Sequence, residues 1–199
     1  MKILKLTFVL CFLSSTSFSQ LDTKNQIDIV SKYLQNYVYW SYEIEGGGSI
    51  DIGNGFCLGI NYNRKVAERL WINTGINYLK TLNDYNPPYT GIPAPTVKKM
   101  ETELLRIPVK IRLDLLKLLY LKTGLTVDSE ISSKNESNIS NQSGIGYSLA
   151  LGLDLKISEL IYFNIEPELS FTSLIPFNSD KYQEHFLIYG INFNIGLRF

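Results

Sequence analysis

The sequence predicts an all-β protein, an eight-stranded antiparallel transmembrane β-barrel preceded by a short N-terminal amphipathic helix. Three observations carry this. From Val38 to Phe199 apolar residues recur with a period of two in eight runs, which is the side-chain repeat of a strand and not of a helix. One face of these runs is aliphatic and aromatic, and the other is small, polar or charged with both signs. The connections are short after the second, fourth and sixth runs and longer after the others, the alternation of transmembrane barrels.

The chain opens with a signal-peptide pattern. Lys2 and Lys5 form a positive region, Leu6 to Leu13 an apolar one, and Ser17-Phe18-Ser19 a small-x-small site that places cleavage after Ser19. The apolar run is well short of the ~20 residues of a spanning helix. Leu10 stands before Cys11 where a lipoprotein signal needs a small residue. The expected division is a signal peptide over 1–19, a periplasmic N-terminal segment over 20–37 and the barrel over 38–199. Removing the signal takes away Cys11 and leaves Cys57 as the only thiol, so no intrachain disulfide can form.

From Asp22 to Tyr37 the residues Ile27, Val30, Leu34 and Tyr37 recur at spacings of three and four, which predicts a short amphipathic helix that either lies against the inner membrane surface or an accessory partner or, the favoured reading, covers the barrel mouth. The first strand run sets Val38, Trp40, Tyr42 and Ile44 against Tyr39, Ser41, Glu43 and Glu45. The second sets Phe56 to Tyr62 against Cys57, Gly59, Asn61 and Asn63, and the third Leu70 to Tyr78 against Trp71, Asn73, Gly75 and Asn77. In the fourth, Leu105 to Leu113 oppose Arg106, Pro108, Lys110 and Arg112; Pro108 lacks a ladder donor, which predicts a bulge. The fifth sets Leu119 to Val127 against Tyr120, Lys122, Gly124, Thr126 and Asp128. Leu113 to Leu121 also reads as a leucine-rich helix, but Asp114 and Lys117 between two alternating runs favour a turn. The sixth is the clearest, with Ile145, Tyr147, Leu149, Leu151, Leu153 and Leu155 opposite Gly144, Gly146, Ser148, Ala150, Gly152 and Asp154. The seventh sets Phe163 to Phe171 against Asn164, Glu166, Glu168, Ser170 and Thr172, and the eighth Leu187 to Phe199 against Ile188, Gly190, Asn192, Asn194, Gly196 and Arg198.

Periodicity does not choose which face is outside, because a soluble lipocalin-like barrel alternates in the same way. The polar face decides. It is rich in glycine, asparagine, serine and alanine, which suit a narrow lumen better than a watered surface. Its charges are mixed in sign: Glu43, Glu45, Asp128, Asp154, Glu166 and Glu168 against Arg106, Lys110, Arg112, Lys122 and Arg198, a set positioned to pair across the lumen. Buried charges are tolerated only when paired and hydrogen-bonded. A closed barrel also satisfies every strand edge, as a sheet in lipid must.

The terminal Phe199, with Leu197, Ile195 and Phe193 at alternate positions, looks like the C-terminal signal read by the outer-membrane assembly machinery of Gram-negative bacteria. Leu104-Leu105-Arg106-Ile107-Pro108-Val109-Lys110 and Tyr120-Leu121-Lys122-Thr123-Gly124 resemble the mid-barrel signature of the small outer-membrane β-barrel family that includes PorT. The resemblance spans about Val38 to Phe199. It implies outer-membrane insertion and an eight-stranded barrel, with the outer-membrane lipid and the assembly machinery as partners, and no single activity. Arg106 stands where that family usually has an acidic residue, so a role of that carboxylate does not carry over.

Composition and motifs narrow the function classes. With 199 residues, of which 45% are hydrophobic and 13% aromatic, the chain is one domain with a core and not a disordered segment. Nineteen basic against 19 acidic residues do not suit nucleic-acid binding. The one histidine, His185, lies beside Glu184 and shortly after Ser173 and Ser179, but no spacing motif supports a triad there. His185 and Cys57 cannot make a usual zinc set, so neither metal nor cofactor is expected. Glu45-Gly46-Gly47-Gly48-Ser49 lacks the Lys-Ser/Thr of a phosphate loop and reads as a turn. Three Asn-x-Ser matches between Asn135 and Ser143 are inexpensive in a Ser/Asn-rich loop. The stretch holding Pro87, Pro88, Tyr89, Pro93 and Pro95 should be stiff and displayed, a contact surface for a protein partner or glycan. The expected protein is thus a non-enzymatic outer-membrane barrel with a plugged interior, structural or interacting, accessory to secretion or surface assembly. A narrow passive channel and an outer-leaflet lipid-modifying enzyme using His185 are its rivals.

Overall fold

A computed structural model of the chain describes residues 24–40, 49–88, 96–135, 140–178 and 183–199. They form nine strands: β1 (Asn25–Trp40), the two-residue β2 (Ser49–Ile50), β3 (Gly53–Ala67), β4 (Leu70–Asn86), β5 (Lys98–Asp114), β6 (Leu119–Asn135), β7 (Gly144–Lys156), β8 (Ile161–Pro176) and β9 (Glu184–Arg198). The eight long strands are antiparallel to both neighbours, and the pairings of β1 with β9 and of β4 with β5 close them into a barrel. At the seam, Asn25 and Phe199 exchange two backbone hydrogen bonds of 3.0 Å. Closure leaves none of the eight long strands as a free sheet edge.

The expected helix over Asp22 to Tyr37 is replaced by strand from Asn25 onward, and the barrel begins there rather than at Val38. Ile27, Ile29, Tyr33, Tyr37 and Tyr39 face outward, while Gln26, Asp28, Val30, Lys32, Leu34 and Asn36 are buried inside. The helical spacing was a coincidence of two faces: Ile27 and Tyr37 lie outside, Val30 and Leu34 inside. Ser31 and Gln35 interrupt the outer face, which hid the period of two. What decides the conformation is pairing, since β1 bonds along its length to β3 on one side and β9 on the other. The faces of the first run are also inverted at its start: Val38 packs half-buried against the interior and Tyr39 is exposed. Residues 41–45 of that run lie outside the described residues.

At Pro108 the register does not shift. Thr74 pairs with Val109 and Asn77 with Arg106, so the ladder only loses the rungs between them, as expected for a residue without an N–H. The register shifts fall instead at Lys65/Ala67, Glu103/Leu104 and Ile145/Tyr147. Residues 115–118 form a turn, with the amides of Leu115 and Leu116 donating to the Leu119 carbonyl, so the leucine-rich stretch is not a helix. This turn, that at 68–69 and that at 157–160 lie at one end of the barrel together with Asn25 and Phe199.

The outer surface carries an apolar belt. On β7 it runs from Ile145 to Leu155, which at about 3.3 Å per residue and a tilt near 40° is roughly 25 Å, the height of a bilayer-facing band. The belt begins at the short turns, where Leu116, Ile157 and Leu160 are exposed, and includes Phe193, Ile195, Leu197 and Phe199. Above it on the outward face Lys80 meets Glu101 at 2.5 Å and Glu103 at 3.3 Å, so β4 and β5 project beyond the belt towards the long loops.

Two tyrosines show how tightly the inside is filled. Tyr120 lies directly across the ladder from Gly152, and a Cβ on that glycine would sit 2.1 Å from the tyrosine ring. Tyr162 stands in the same relation to Gly196, its hydroxyl 2.6 Å from where a Cβ would be. The glycines are the space the rings occupy.

Candidate functional site

The distinctive feature is the barrel interior, where inward positions of all eight long strands converge. At mid-height is a balanced ionic network. Glu168 on β8 accepts from Lys32 of β1 at 3.0 Å, from Lys110 of β5 at 3.0 Å and from the Asn192 amide at 2.9 Å. Its neighbour two residues away, Glu166, accepts from Lys122 at 2.5 Å, the Tyr120 hydroxyl at 2.8 Å and Asn192 at 3.1 Å. Asn192 thus bridges two carboxylates with one amide group. Arg106 holds Asp128 in a bidentate pair, with Nε at 2.6 Å and Nη2 at 3.1 Å, and its third nitrogen donates to Ser170 at 3.2 Å. Asp128 is wholly buried. Asp28 accepts from Asn63 at 2.9 Å, and Asn63 in turn accepts from Asn73. Each of the four cations Lys32, Lys110, Lys122 and Arg106 is thus paired with one of the three carboxylates Glu166, Glu168 and Asp128, while Asp28 is held by the Asn63 amide; such pairing is how buried cations escape the penalty of unpaired charge.

Towards the short turns lies a second cluster. Asp154 accepts from Arg112 at 2.6 Å and from Arg198 at 2.5 Å, and Asp114 accepts from Arg112 at 2.8 Å and the Trp71 indole at 2.8 Å. The Arg112 guanidinium also stacks 3.9 Å from the Tyr120 ring centroid. Below this cluster the mouth opens into a cavity of about 700 Å³, walled by Trp71, by the β5–β6 turn and by several cations.

Towards the long loops the interior changes character. Leu34, Cys57, Leu79, Leu104, Phe186 and Ile188 form a buried apolar cluster, joined by Val38. Against it Gln142, wholly buried, folds in from the segment before β7: it accepts from Thr172 at 2.9 Å and donates to the Glu184 carbonyl at 3.0 Å. Above, Asn36 donates to Asn83 at 2.8 Å.

Of the residues singled out from the sequence, Arg106, Lys110, Arg112, Lys122, Asp128, Asp154, Glu166, Glu168 and Arg198 all point inward and are joined by these contacts. Glu43 and Glu45 lie outside the described residues, as do the signal-peptide residues and Tyr89, Pro93 and Pro95 of the proline-rich loop. Pro87 and Pro88 are half-buried just after β4. His185 stands across the ladder from Tyr39, the Glu184 carboxylate accepts from the Ser140 amide at 2.8 Å, and buried Ser173 donates to the Ser143 carbonyl at 3.4 Å with φ of 52°. Ser179 lies outside the described residues.

Sequence reasoning missed Lys32 and Asp28, because their segment was read as helix; the alternation of Gln26, Asp28, Val30, Lys32, Leu34 and Asn36 was the signal that could have found them. It also missed the apolar cluster. Leu34, Leu79, Leu104 and Phe186 break the small-polar rule of the inner face and lie on four different strands.

No family model matches the sequence and no curated protein matches it, so the likeness to the family that includes PorT remains a resemblance. Solved structures do match. The outer membrane protein OprG from Pseudomonas aeruginosa aligns over 89% of this chain and 96% of its own, with a TM-score of 0.55 at 12% identity. The outer membrane protein AlkL in lipid bilayers aligns over 94% and 96%, with a TM-score of 0.49 at 10% identity. Ail, the attachment invasion locus protein of Yersinia pestis, aligns over 88% and 99%, with a TM-score of 0.46 at 12% identity. The likeness to OprG shows the fold this chain shares, a small closed antiparallel β-barrel.

Proposed function

We propose that the chain is an integral outer-membrane protein whose barrel is a sealed, non-enzymatic scaffold, inserted by the barrel assembly machinery. On this reading it displays its long loops to a protein partner or glycan and is accessory to secretion or surface assembly. The observation that supports the sealed scaffold is the filled interior: a buried ionic network at mid-height, backed towards the long loops by an apolar cluster and the inserted Gln142. An ion crossing the barrel would have to break buried pairs and then enter an apolar layer, both unfavourable. Membrane placement is supported by the apolar belt with its bilayer-matched height, and by the short turns gathered at one end. The C-terminal Phe193, Ile195, Leu197 and Phe199 lie on that belt, where an insertion signal is accessible.

The test has two parts. In membrane fractions the protein is expected in the outer membrane with a compact unboiled band that shifts on heating; a soluble protein without a shift refutes the membrane reading. In planar bilayers it is expected to be silent, whereas sustained single-channel current from the native chain refutes the seal and favours a passive channel.

A further inference from the structure

We propose that the cavity at the short-turn mouth binds the phosphate headgroup of an anionic phospholipid from the adjoining leaflet. This rests on the membrane placement proposed above. The cavity, about 700 Å³, is lined by Lys65, Arg69, Lys117 and Lys156, none of which pairs with a carboxylate among the described residues. Its other charged walls are Arg112 and Arg198 with Asp114 and Asp154, and both aspartates are already committed to those two arginines. Glu68 and Glu159, on turns at the same end, do not line it.

Six cations against two carboxylates make this the place where the sign balance of the interior breaks. At mid-height each of Lys32, Lys110, Lys122 and Arg106 has a carboxylate partner, whereas among the described residues this mouth gathers four cations that have none. A recess with low-dielectric walls focuses the field of such a set and favours an anion within it. The wall is also amphipathic. Leu115, Leu116 and Leu118 belong to the same turn as Lys117, line the same cavity, are exposed, and continue the apolar belt around the barrel. A free phosphate has nothing to place against three leucines. A phospholipid at the belt's lower edge has acyl chains there and its phosphate at the level of the lysines, the pairing by which basic clusters beside a bilayer recognise anionic lipid.

The experiment uses the full mature chain folded into mixed vesicles of phosphatidylcholine and phosphatidylglycerol, extracted gently and read by native mass spectrometry for retained lipid, with folding checked by heat-modifiable mobility. Phosphatidylglycerol is expected to be retained about tenfold over its share in the vesicle. The preference should be lost in Lys65→Gln/Arg69→Gln/Lys117→Gln/Lys156→Gln and kept in Lys65→Arg/Lys117→Arg/Lys156→Arg, which preserves charge. Lys80→Gln/Lys98→Gln/Lys99→Gln, at the opposite end, should leave it unchanged. A folded barrel that retains both lipids in vesicle proportion overturns the proposal while leaving the membrane reading intact; a chain that never inserts defeats that reading instead. Displacement of the lipid by millimolar inorganic phosphate alone would assign the cavity to a soluble phosphate. Saturation by an oligoglutamate without lipid preference would assign it to an acidic peptide. Either result overturns the headgroup assignment.

Discussion

Replacing Glu168 by leucine strands two ammonium groups in the barrel interior. Lys32 and Lys110 each lie 3.0 Å from a different oxygen of that carboxylate, with side chains only 3% and 8% exposed, and Glu168 itself is 5% exposed. Removing one partner of a buried pair typically costs about 3–5 kcal/mol; here one carboxylate serves two cations and an amide, so Glu168→Leu should lie near the upper end, about 5 kcal/mol. The outward pair of Lys80 with Glu101 gives the internal control. Both its side chains are about a quarter exposed and within reach of water, so Lys80→Gln should leave the unfolding midpoint nearly unchanged. The network, and not the carboxylate alone, is what the cost reports, so removing all three charges should restore stability: Lys32→Met/Lys110→Met/Glu168→Leu is expected within about 2 kcal/mol of the native chain, or above it. The assay is urea unfolding of the barrel in vesicles, followed by heat-modifiable mobility and tryptophan fluorescence and extrapolated linearly. A loss below about 1 kcal/mol for Glu168→Leu alone would mean that water solvates the stranded lysines, and the sealed interior would be refuted.

Three further outcomes follow from the same geometry. Leu151→Arg places a cation on the belt near mid-strand and should cost about 2–4 kcal/mol in bilayers, measured by the same unfolding; a harmless substitution would mean the faces are inverted. Gly152→Ala drives a Cβ into the Tyr120 ring, which Arg112 and Glu166 hold in place, and should cost about 1–3 kcal/mol, with Gly152→Ala/Tyr120→Leu recovering part of the loss. Arg106→Ala leaves Asp128 buried without its bidentate partner and should cost about 3–5 kcal/mol, whereas Arg106→Ala/Asp128→Ala should cost less than Arg106→Ala alone.

The amino-acid sequence by itself determined the barrel's most repetitive parts. The strict alternations over Ile145–Leu155 and Leu187–Phe199 admit one conformation and, with glycine-rich opposite faces, one phase. Most of the inward charges were legible for the same reason, since Arg106, Lys110, Arg112 and Lys122 follow directly from which residues alternate. What the sequence could not decide was whatever depends on neighbours far along the chain. Residues 25–37 carry apolar positions at helical spacing, and they become a strand because β3 and β9 offer ladders on both sides; that pairing joins Ile27 to Leu197 across most of the chain. Pro108 looked like a bulge because its missing donor is a local fact, while the register around it is held by whole strands on either side. Which cation meets which carboxylate was likewise tertiary. Lys32 and Lys110 share Glu168 only because closure and stagger bring β1, β5 and β8 to the same height inside one lumen. The apolar cluster has the same origin: Leu34, Leu79, Leu104 and Phe186 look like errors on a polar face when read strand by strand, and become a plug once four strands set them side by side. Local periodicity sets which way a side chain points, and only closure of the barrel sets what it meets there.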